Sequence, residues 1–305
     1  MTTVSDAKPA LRPSSGLPAF LLGSALLGTI GVFVAGAGAD PVTTTWFRCA
    51  FGLIGLTAWM TARGSVRAVL PRRGALPWVI AASLLMVAAW GLFFFAIART
   101  STGVAVVLFH LQPLWVLVLG AMWLRERIGA RPIACVSVAI VGLVFAAGVL
   151  EHTALFGAAG AVGAGYWLGI AACLVGAFCT AGVTIIARRL GELPLGQLAW
   201  WQCAIGTVAL APWLIEVGLP EAGASWAWLA GLGLIHTGLA YALIYEGTAR
   251  LAAGRIAVLQ FIYPAVAILI DWWVFGLTLS VVQMVGIAVI AIAIGFAERR
   301  QAVRA

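Results

Sequence analysis

Hydrophobic residues are grouped into ten long segments separated by short polar connections. Each segment is about 17–25 residues long, which is the length that an α-helix needs to cross ~30 Å of hydrocarbon. The chain therefore predicts an all-α integral membrane protein with ten transmembrane helices. The predicted spans, numbered 1 to 10 in chain order, are Leu17–Gly38, Thr44–Thr61, Leu76–Ala98, Gly103–Trp123, Pro132–Leu150, Trp167–Ala187, Gln197–Val217, Trp226–Thr248, Arg255–Phe275 and Ser280–Phe296.

Composition agrees with this pattern, because hydrophobic residues make up 63% of the chain and charged residues 9%. Soluble domains contain roughly 45–50% hydrophobic residues and about 25% charged residues. Disordered chains are less hydrophobic still. The net charge is +8, but the positive residues lie in short loops rather than on one continuous face, so we expect no nucleic-acid partner. We expect a small-molecule substrate, membrane lipids as surroundings, and a monomer or weak homo-oligomer.

The positive residues also predict the orientation. If both termini are cytoplasmic, all but two of the 18 Lys and Arg residues fall on the inner side. Arg99 alone lies outside, and Arg48 lies within span 2. We therefore expect a multi-pass protein of a bacterial inner membrane with cytoplasmic termini.

An internal repeat divides the chain into two halves. Residues 46–52 (WFRCAFG) align with 200–206 (WWQCAIG), and Pro113 aligns with Pro264 at nearly the same offset. Because each half holds five predicted spans, the second must insert upside down, which is typical of secondary transporters. The predicted divisions are a tail at 1–16, a first repeat at 17–150, a periplasmic linker at 151–166, a second repeat at 167–297 and a tail at 298–305.

The halves resemble the EamA-type repeats of the drug/metabolite transporter superfamily. The resemblance rests on Phe47-Arg48, Leu111-Gln112-Pro113-Leu114, Glu126-Arg127-Ile128 and Gly142 in the first half, and on Ile262-Tyr263-Pro264, Phe275-Gly276, Leu279-Ser280, Gln283 and Gly286 in the second. It implies a transporter of amino acids, metabolites or drugs, often an exporter. The sequence departs from the pattern at Gln202, which matches Arg48, and at Leu277, which matches Glu126.

Pro113 and Pro264 lie near the centres of spans 4 and 9. Each proline lacks an N–H and so frees the carbonyl four residues before it. Matched interrupted helices are the best sequence indication of a transport site, although neighbouring helices can also satisfy such kinks. The predicted substrate-binding residues lie at or near these kinks, at corresponding depths in the two halves: His110, Gln112, Pro113, Gln260, Tyr263, Pro264, Trp90 and Tyr241. Spans 1, 3, 6 and 8 would complete the cavity wall.

Three further residues are candidates for gating or coupling: Arg48, Asp271 and His236. Asp271 could pair with Arg48, either as a structural ion pair or in gating, because charged side chains in spans usually face protein or water. His236 could carry a proton or simply pack. Glu246 and Arg250 have the spacing of an ordinary helix-surface ion pair.

These features favour a secondary exporter of small organic solutes, most directly amino acids or related metabolites, working by alternating access. The alternative is a broad-specificity exporter of drugs or quaternary cations. We expect no enzyme, because HExxH and GxSxG motifs are lacking and the connections are too short for a catalytic domain. The five cysteines lie in hydrophobic segments, so we expect buried thiols and no cofactor or metal.

Overall fold

A computed structural model describes residues 16–97, 99–100, 102–147, 164–191, 193–194, 196–221, 223–276 and 279–299. Most of the two predicted tails and of the predicted linker lies outside these residues. Within the described part of the chain the secondary structure is helical, without strands. The predicted fold class is therefore confirmed.

The helices occupy the ten predicted spans. They are α1 Gly16–Gly28, α2 Ile30–Ala37, α3 Pro41–Ala62, α4 Leu76–Ile97, α5 Thr102–Phe109, α6 Gln112–Trp123, α7 Ala130–Ala146, α8 Ala164–Leu190, α9 Gln197–Val217, α10 Ser225–Gly231, α11 Ala240–Arg250, α12 Ala253–Leu259, α13 Ile262–Phe275 and α14 Val281–Arg299. A 3-10 turn forms at Val66–Val69, and a π-helix at Leu232–Leu239 joins α10 to α11.

Six of these spans are long and apolar enough to cross a membrane: Gly16–Ala37, Leu76–Phe93, Ala164–Leu190, Gln197–Val217, Ser225–Arg250 and Ala253–Phe275. Three shorter apolar helices, Val107–Trp123, Ala130–Ala146 and Val281–Ala297, correspond to spans 4, 5 and 10. Helix α3, with 22 residues, corresponds to span 2. The chain is thus a multi-pass membrane protein.

Four predicted spans are not continuous α-helices. Spans 4 and 9 break just before their prolines, at residues 110–111 and 260–261. Span 1 breaks at Thr29, and span 8 contains the π-helix. The predicted kinks in spans 4 and 9 are confirmed, whereas the other two breaks have no proline beside them and were not predicted.

The two halves meet through the repeated motif. A Cβ atom added to Gly52 would lie 2.9 Å from Sγ of Cys203, and one added to Gly206 would lie 2.6 Å from Sγ of Cys49. Each cysteine therefore fills the space above the glycine of the other half, as expected for two copies related by a twofold axis. The cysteines are buried and free, as predicted.

The two ends of the bundle differ. We call the end that holds Arg63, Arg125, Arg188 and Arg250 the basic end, and the opposite one the far end. At the basic end α6 packs against α12, where a Cβ on Gly120 would lie 2.7 Å from Cβ of Ala253. At the far end, among the described residues, no comparable packing joins the equivalent half-helices α5 and α13. Spans 4 and 9 therefore meet at the basic end and separate towards the far end.

Candidate functional site

A cavity of about 160 Å³ lies where spans 4 and 9 break. Spans 1, 3, 6 and 8 form the rest of its wall, as the repeat predicts. Six of the predicted substrate-binding residues line it, namely His110, Gln112, Pro113, Tyr241, Gln260 and Tyr263. The fold thus gathers side chains from both halves around one space.

The breaks bring the two halves into direct contact. His110 lies between α5 and α6, and its ring stacks on that of Tyr263 with a centroid distance of 5.6 Å and an interplanar angle of 23°. Gln260 occupies the equivalent break between α12 and α13. Because proline cannot donate to the preceding turn, each helix restarts there and leaves polar residues at the middle of the bundle.

Two amide groups beside the cavity have unused hydrogen-bonding capacity. Oε1 of Gln260 and Nε2 of Gln202 are buried without a hydrogen-bond partner in the described part of the chain. The other end of the Gln202 amide is used, because the hydroxyl of Tyr245 donates to its Oε1 at 2.6 Å. A buried polar atom without a partner is costly, so a small movement that lets a polar ligand or water reach these atoms is favoured.

The cavity wall carries no fixed charge in the described residues. Its lining contains no Asp, Glu, Lys or Arg, and its polar groups are hydroxyls, amides and one imidazole. Ser24, Thr180, Thr184 and Tyr245 belong to this lining but were absent from the predicted set. Of these, only Tyr245 carried a sequence signal, since it follows Tyr241 by one helical turn.

Trp90 and Pro264 lie beside the cavity rather than on its surface. Trp90 packs in a hydrophobic cluster with Tyr241 and Tyr245, behind the aromatic wall. Pro264 is buried in the first turn of α13. Both therefore support the site without lining it.

The predicted pairing of Arg48 with Asp271 is wrong. Nε of Arg48 donates to Oγ1 of Thr237 at 3.2 Å, and its guanidinium lies 5.8 Å from the ring centroid of Trp90. Asp271 faces span 1 instead, where a Cβ on Gly31 would lie 3.2 Å from its Oδ1. The two residues are at similar depths, but they project towards different neighbouring helices.

His236 is fully buried and ties the π-helix to the break in span 1. Its Nε2 lies 2.8 Å from Oγ1 of Thr29, and its Nδ1 lies 3.4 Å from the carbonyl oxygen of Gly231. Its ring also packs edge-on against Phe33, with centroids 4.5 Å apart. In this conformation His236 therefore fills a packing and hydrogen-bonding role, and a role in proton coupling stays a prediction.

A second polar cluster closes the basic end. Oε1 of Glu126 lies 2.6 Å from Nη2 of Arg188, and Oε2 of Glu126 accepts the N–H of Ala253 at 3.0 Å. Glu126 belongs to the first half, while Arg188 and Ala253 belong to the second, so this carboxylate joins the halves. The predicted pair of Glu246 and Arg250 is confirmed at 2.9 Å, but it lies within α11.

A helical membrane protein in which two related halves enclose a polar cavity has the architecture of a secondary transporter. Comparison with known proteins agrees, because the profile of the EamA-like transporter family matches residues 14–148 and 167–297. The chain belongs to this family and is a membrane transporter, so the resemblance drawn from the sequence is confirmed.

The chain is similar to two proteins named as uncharacterized transporters. One, YxxF of Bacillus subtilis (strain 168), is 23% identical over 92% of this chain and 88% of its own length. The other, from Archaeoglobus fulgidus, is 25% identical over 90% of this chain and 93% of its own length. A solved crystal structure aligns with a TM-score of 0.82 at 18% identity, covering 94% of this chain and 98% of its own, and shows the same fold.

Proposed function

We propose that the protein exports small organic solutes, in particular amino acids or related metabolites, by alternating access through the central cavity. The observation that carries this proposal is the composition of the cavity wall, which offers hydroxyls, amides and aromatic rings from both halves and no fixed charge in the described lining. Such a wall offers hydrogen-bonding groups and ring faces to a small polar molecule.

An amino acid suits this wall for three reasons. Its ammonium group needs acceptors, and the unpaired Oε1 of Gln260 is one. Its polar groups also need donors, and the hydroxyls of the wall and the unpaired Nε2 of Gln202, beside Tyr245, are donors. Phe109 and Met86 on the same wall offer a hydrophobic surface to an apolar side chain.

The difference between the two ends supports alternating access. We place the basic end and both termini on the cytoplasmic side of a bacterial inner membrane in this proposal, because positive residues concentrate in cytoplasmic loops. The conformation described above, with α6 packed on α12 and Glu126 joining the halves, is then the state closed to the cytoplasm. Export requires the halves to rock so that this end opens and the gap between α5 and α13 closes.

The second candidate is a broad-specificity exporter of drugs or quaternary cations. The aromatic rings around the cavity favour it, because cations bind ring faces. The absence of a carboxylate from the described lining opposes it, since a permanent cation in a low-dielectric site is stabilised best by an anion.

Counterflow in proteoliposomes tests the proposal. We expect counterflow with apolar amino acids and none with quaternary cations, measured with and without a proton gradient. Gln260→Ala and Tyr263→Ala should lower the rate by about tenfold or more, because each removes a ligand contact. Ile215→Ala, at a residue that is 83% exposed on α9, serves as the control. Normal counterflow by folded Gln260→Ala and Tyr263→Ala proteins would contradict this site.

A further inference from the structure

We propose that Arg48 is an anion-binding subsite at the far-end rim of the cavity and that it takes the carboxylate of the transported solute. This inference rests on the proposed function, because it assigns one group of an amino acid to one side chain. It goes further in fixing the orientation of the solute and in requiring an anionic group on it.

The guanidinium of Arg48 is held firmly but used only in part. Its Nε donates to Thr237, and the ring of Trp90 lies beneath it at 5.8 Å. A guanidinium has five N–H donors, so this bond leaves the four on its terminal nitrogens. Those nitrogens have no partner among the described residues and are not sealed in the protein interior. They form a fork whose geometry matches that of a carboxylate.

No carboxylate in the described part of the chain forms an ion pair with Arg48. The ion pairs among the described residues join Glu126 to Arg188 and Glu246 to Arg250, and neither includes Arg48. Asp271 lies against Gly31 instead. Arg48 is seven residues into a membrane-spanning helix, where an unpaired cation is costly and an anion bound from solution is correspondingly favoured.

The position of Arg48 relative to the cavity follows from its two partners. Thr237 is one helical turn from Tyr241 on span 8, and Trp90 is one turn from Met86 on span 3. Tyr241 and Met86 both line the cavity. Arg48 therefore lies one turn from the cavity wall, on the side of the far end.

The second half supplies no equivalent cation. Gln202 stands at the position that matches Arg48, and its amide oxygen accepts from Tyr245. One half therefore offers a cation and the other an amide at the matching position. Because these two groups differ, we expect the solute to bind in a single orientation. A solute with a single carboxylate would point that group towards Arg48 and its apolar part towards Phe109 and Met86.

Binding of three related probes to the purified full-length protein tests the subsite. L-Leucine carries both charged groups, 4-methylpentanoate carries only the carboxylate, and L-leucine methyl ester carries only the amine. The variants are Arg48→Gln and Arg48→Lys, and the latter keeps the charge but not the fork. Arg63→Gln is the matched control, because Arg63 lies over Trp59 at 5.2 Å at the other end of the same helix.

We expect Arg48→Gln to weaken binding of L-leucine and of 4-methylpentanoate by about tenfold or more, and binding of the ester by less than about twofold. Arg48→Lys should lie between wild type and Arg48→Gln, and it provides the comparison if Arg48→Gln does not fold. Arg63→Gln should bind all three probes as the wild type does. Equal losses for the ester and the acids would mean that Arg48 is only structural and would overturn the proposal.

Two other results would also overturn it: carboxylate binding that does not depend on residue 48, and wild-type protein that binds neither carboxylate probe. A different result would contradict the proposed function, namely the absence of counterflow with every amino acid tested. The two readouts therefore distinguish failure of the subsite from failure of the proposed function.

Discussion

Asp40 determines where span 2 begins. The hydrophobic pattern predicts a start at Thr44, but the helix begins at Pro41 because the Asp40 carboxylate accepts the N–H groups of Val42 and Thr43, each at 3.0 Å. An aspartate before a proline is a strong N-terminal signal, since proline fits the first helical position. Hydropathy alone does not detect it, because both residues lower the hydrophobicity of the segment.

The same contacts affect the ionisation of Asp40. Burial by itself would raise the pKa of its carboxyl, but the hydrogen bonds from Thr43 and Val42 outweigh burial and bring that pKa below its ordinary value. Because the pKa is lower in the folded state, the carboxylate contributes stability above the unfolded pKa of about 3.9. That contribution is lost as the pH falls through the folded value.

We therefore expect Asp40→Ala to lower the free energy of unfolding by about 1 kcal/mol at neutral pH. The difference from wild type should shrink as the pH falls below about 4. Thermal unfolding in detergent between pH 3 and pH 7 measures both effects. Asp40→Asn is the control, because asparagine caps a helix but has no titrating group. Its free energy of unfolding should therefore lack the pH dependence that the Asp40 carboxylate causes. Identical melting temperatures of Asp40→Ala and wild type at pH 7 would show that the cap contributes nothing.

At the scale of elements, the carboxylate of Glu126 gives the basic end a contact that the repeat does not reproduce at the far end. Glu126 binds Arg188 and the first N–H of α12. The counterparts of Glu126 and Arg188 in the repeat are Leu277 and Ala37, neither of which can form an ion pair. If the halves rock as proposed, we expect this asymmetry to stabilise the state that is closed at the basic end relative to the opposite one.

Glu126→Gln should shift the protein towards the state that is open at the basic end. Charge-assisted hydrogen bonds of this kind contribute about 1.5–3 kcal/mol, so the ratio of the two states should change by about tenfold or more. The rate at which a membrane-impermeant maleimide, applied at the basic end, modifies Ser24→Cys reports this shift, because Ser24 lines the cavity. Native cysteines are first replaced.

Glu246→Gln is the matched control for this measurement. It removes an ion pair at the same end, but that pair lies within one helix, so the maleimide rate should stay at its original value. A rate unchanged by Glu126→Gln, or raised equally by Glu246→Gln, would contradict a role for Glu126 in holding the halves together.

The sequence predicted some elements and not others, for identifiable reasons. The breaks in spans 4 and 9 were predictable because proline marks them chemically. The π-helix was not, because its wider turn leaves no trace in hydropathy; the backbone shows it, since the N–H of Ala240 donates to the carbonyl of Ile235, five residues earlier. Depth along a span is readable from sequence, but the direction of a side chain is not, and for this reason Arg48 and Asp271 were paired wrongly.

Some residues of the cavity lining were likewise predictable from the sequence, and others were not. Residues beside the prolines, such as Gln260 and Tyr263, were predicted because polar groups at a break need partners. Thr180 and Thr184 were missed because a hydroxyl within a membrane helix satisfies itself by donating to a carbonyl four residues earlier, here those of Gly176 and Thr180. Such residues look the same in the sequence whether they pack or line a cavity.

At the scale of the whole molecule, the packing is nearly symmetric. Helix α3 packs on α9 and α7 packs on α14, each pairing a helix with its own repeat counterpart. The symmetry fails where α6 meets α12 while α5 and α13 stay apart in the described residues. Exchanging the conformations of the two halves would reverse this difference, which is the motion that alternating access requires.

Paired distance measurements test whether the two ends of the bundle open and close in alternation. In a cysteine-free background, one spin-label pair at Arg99 and Trp273 spans the far end, and a second at Met122 and Ala252 spans the basic end; all four positions are exposed. When a counterflow substrate is added, we expect the far-end distance to shorten while the basic-end distance lengthens. Distances that change in the same direction, or that stay fixed while transport continues, would contradict it.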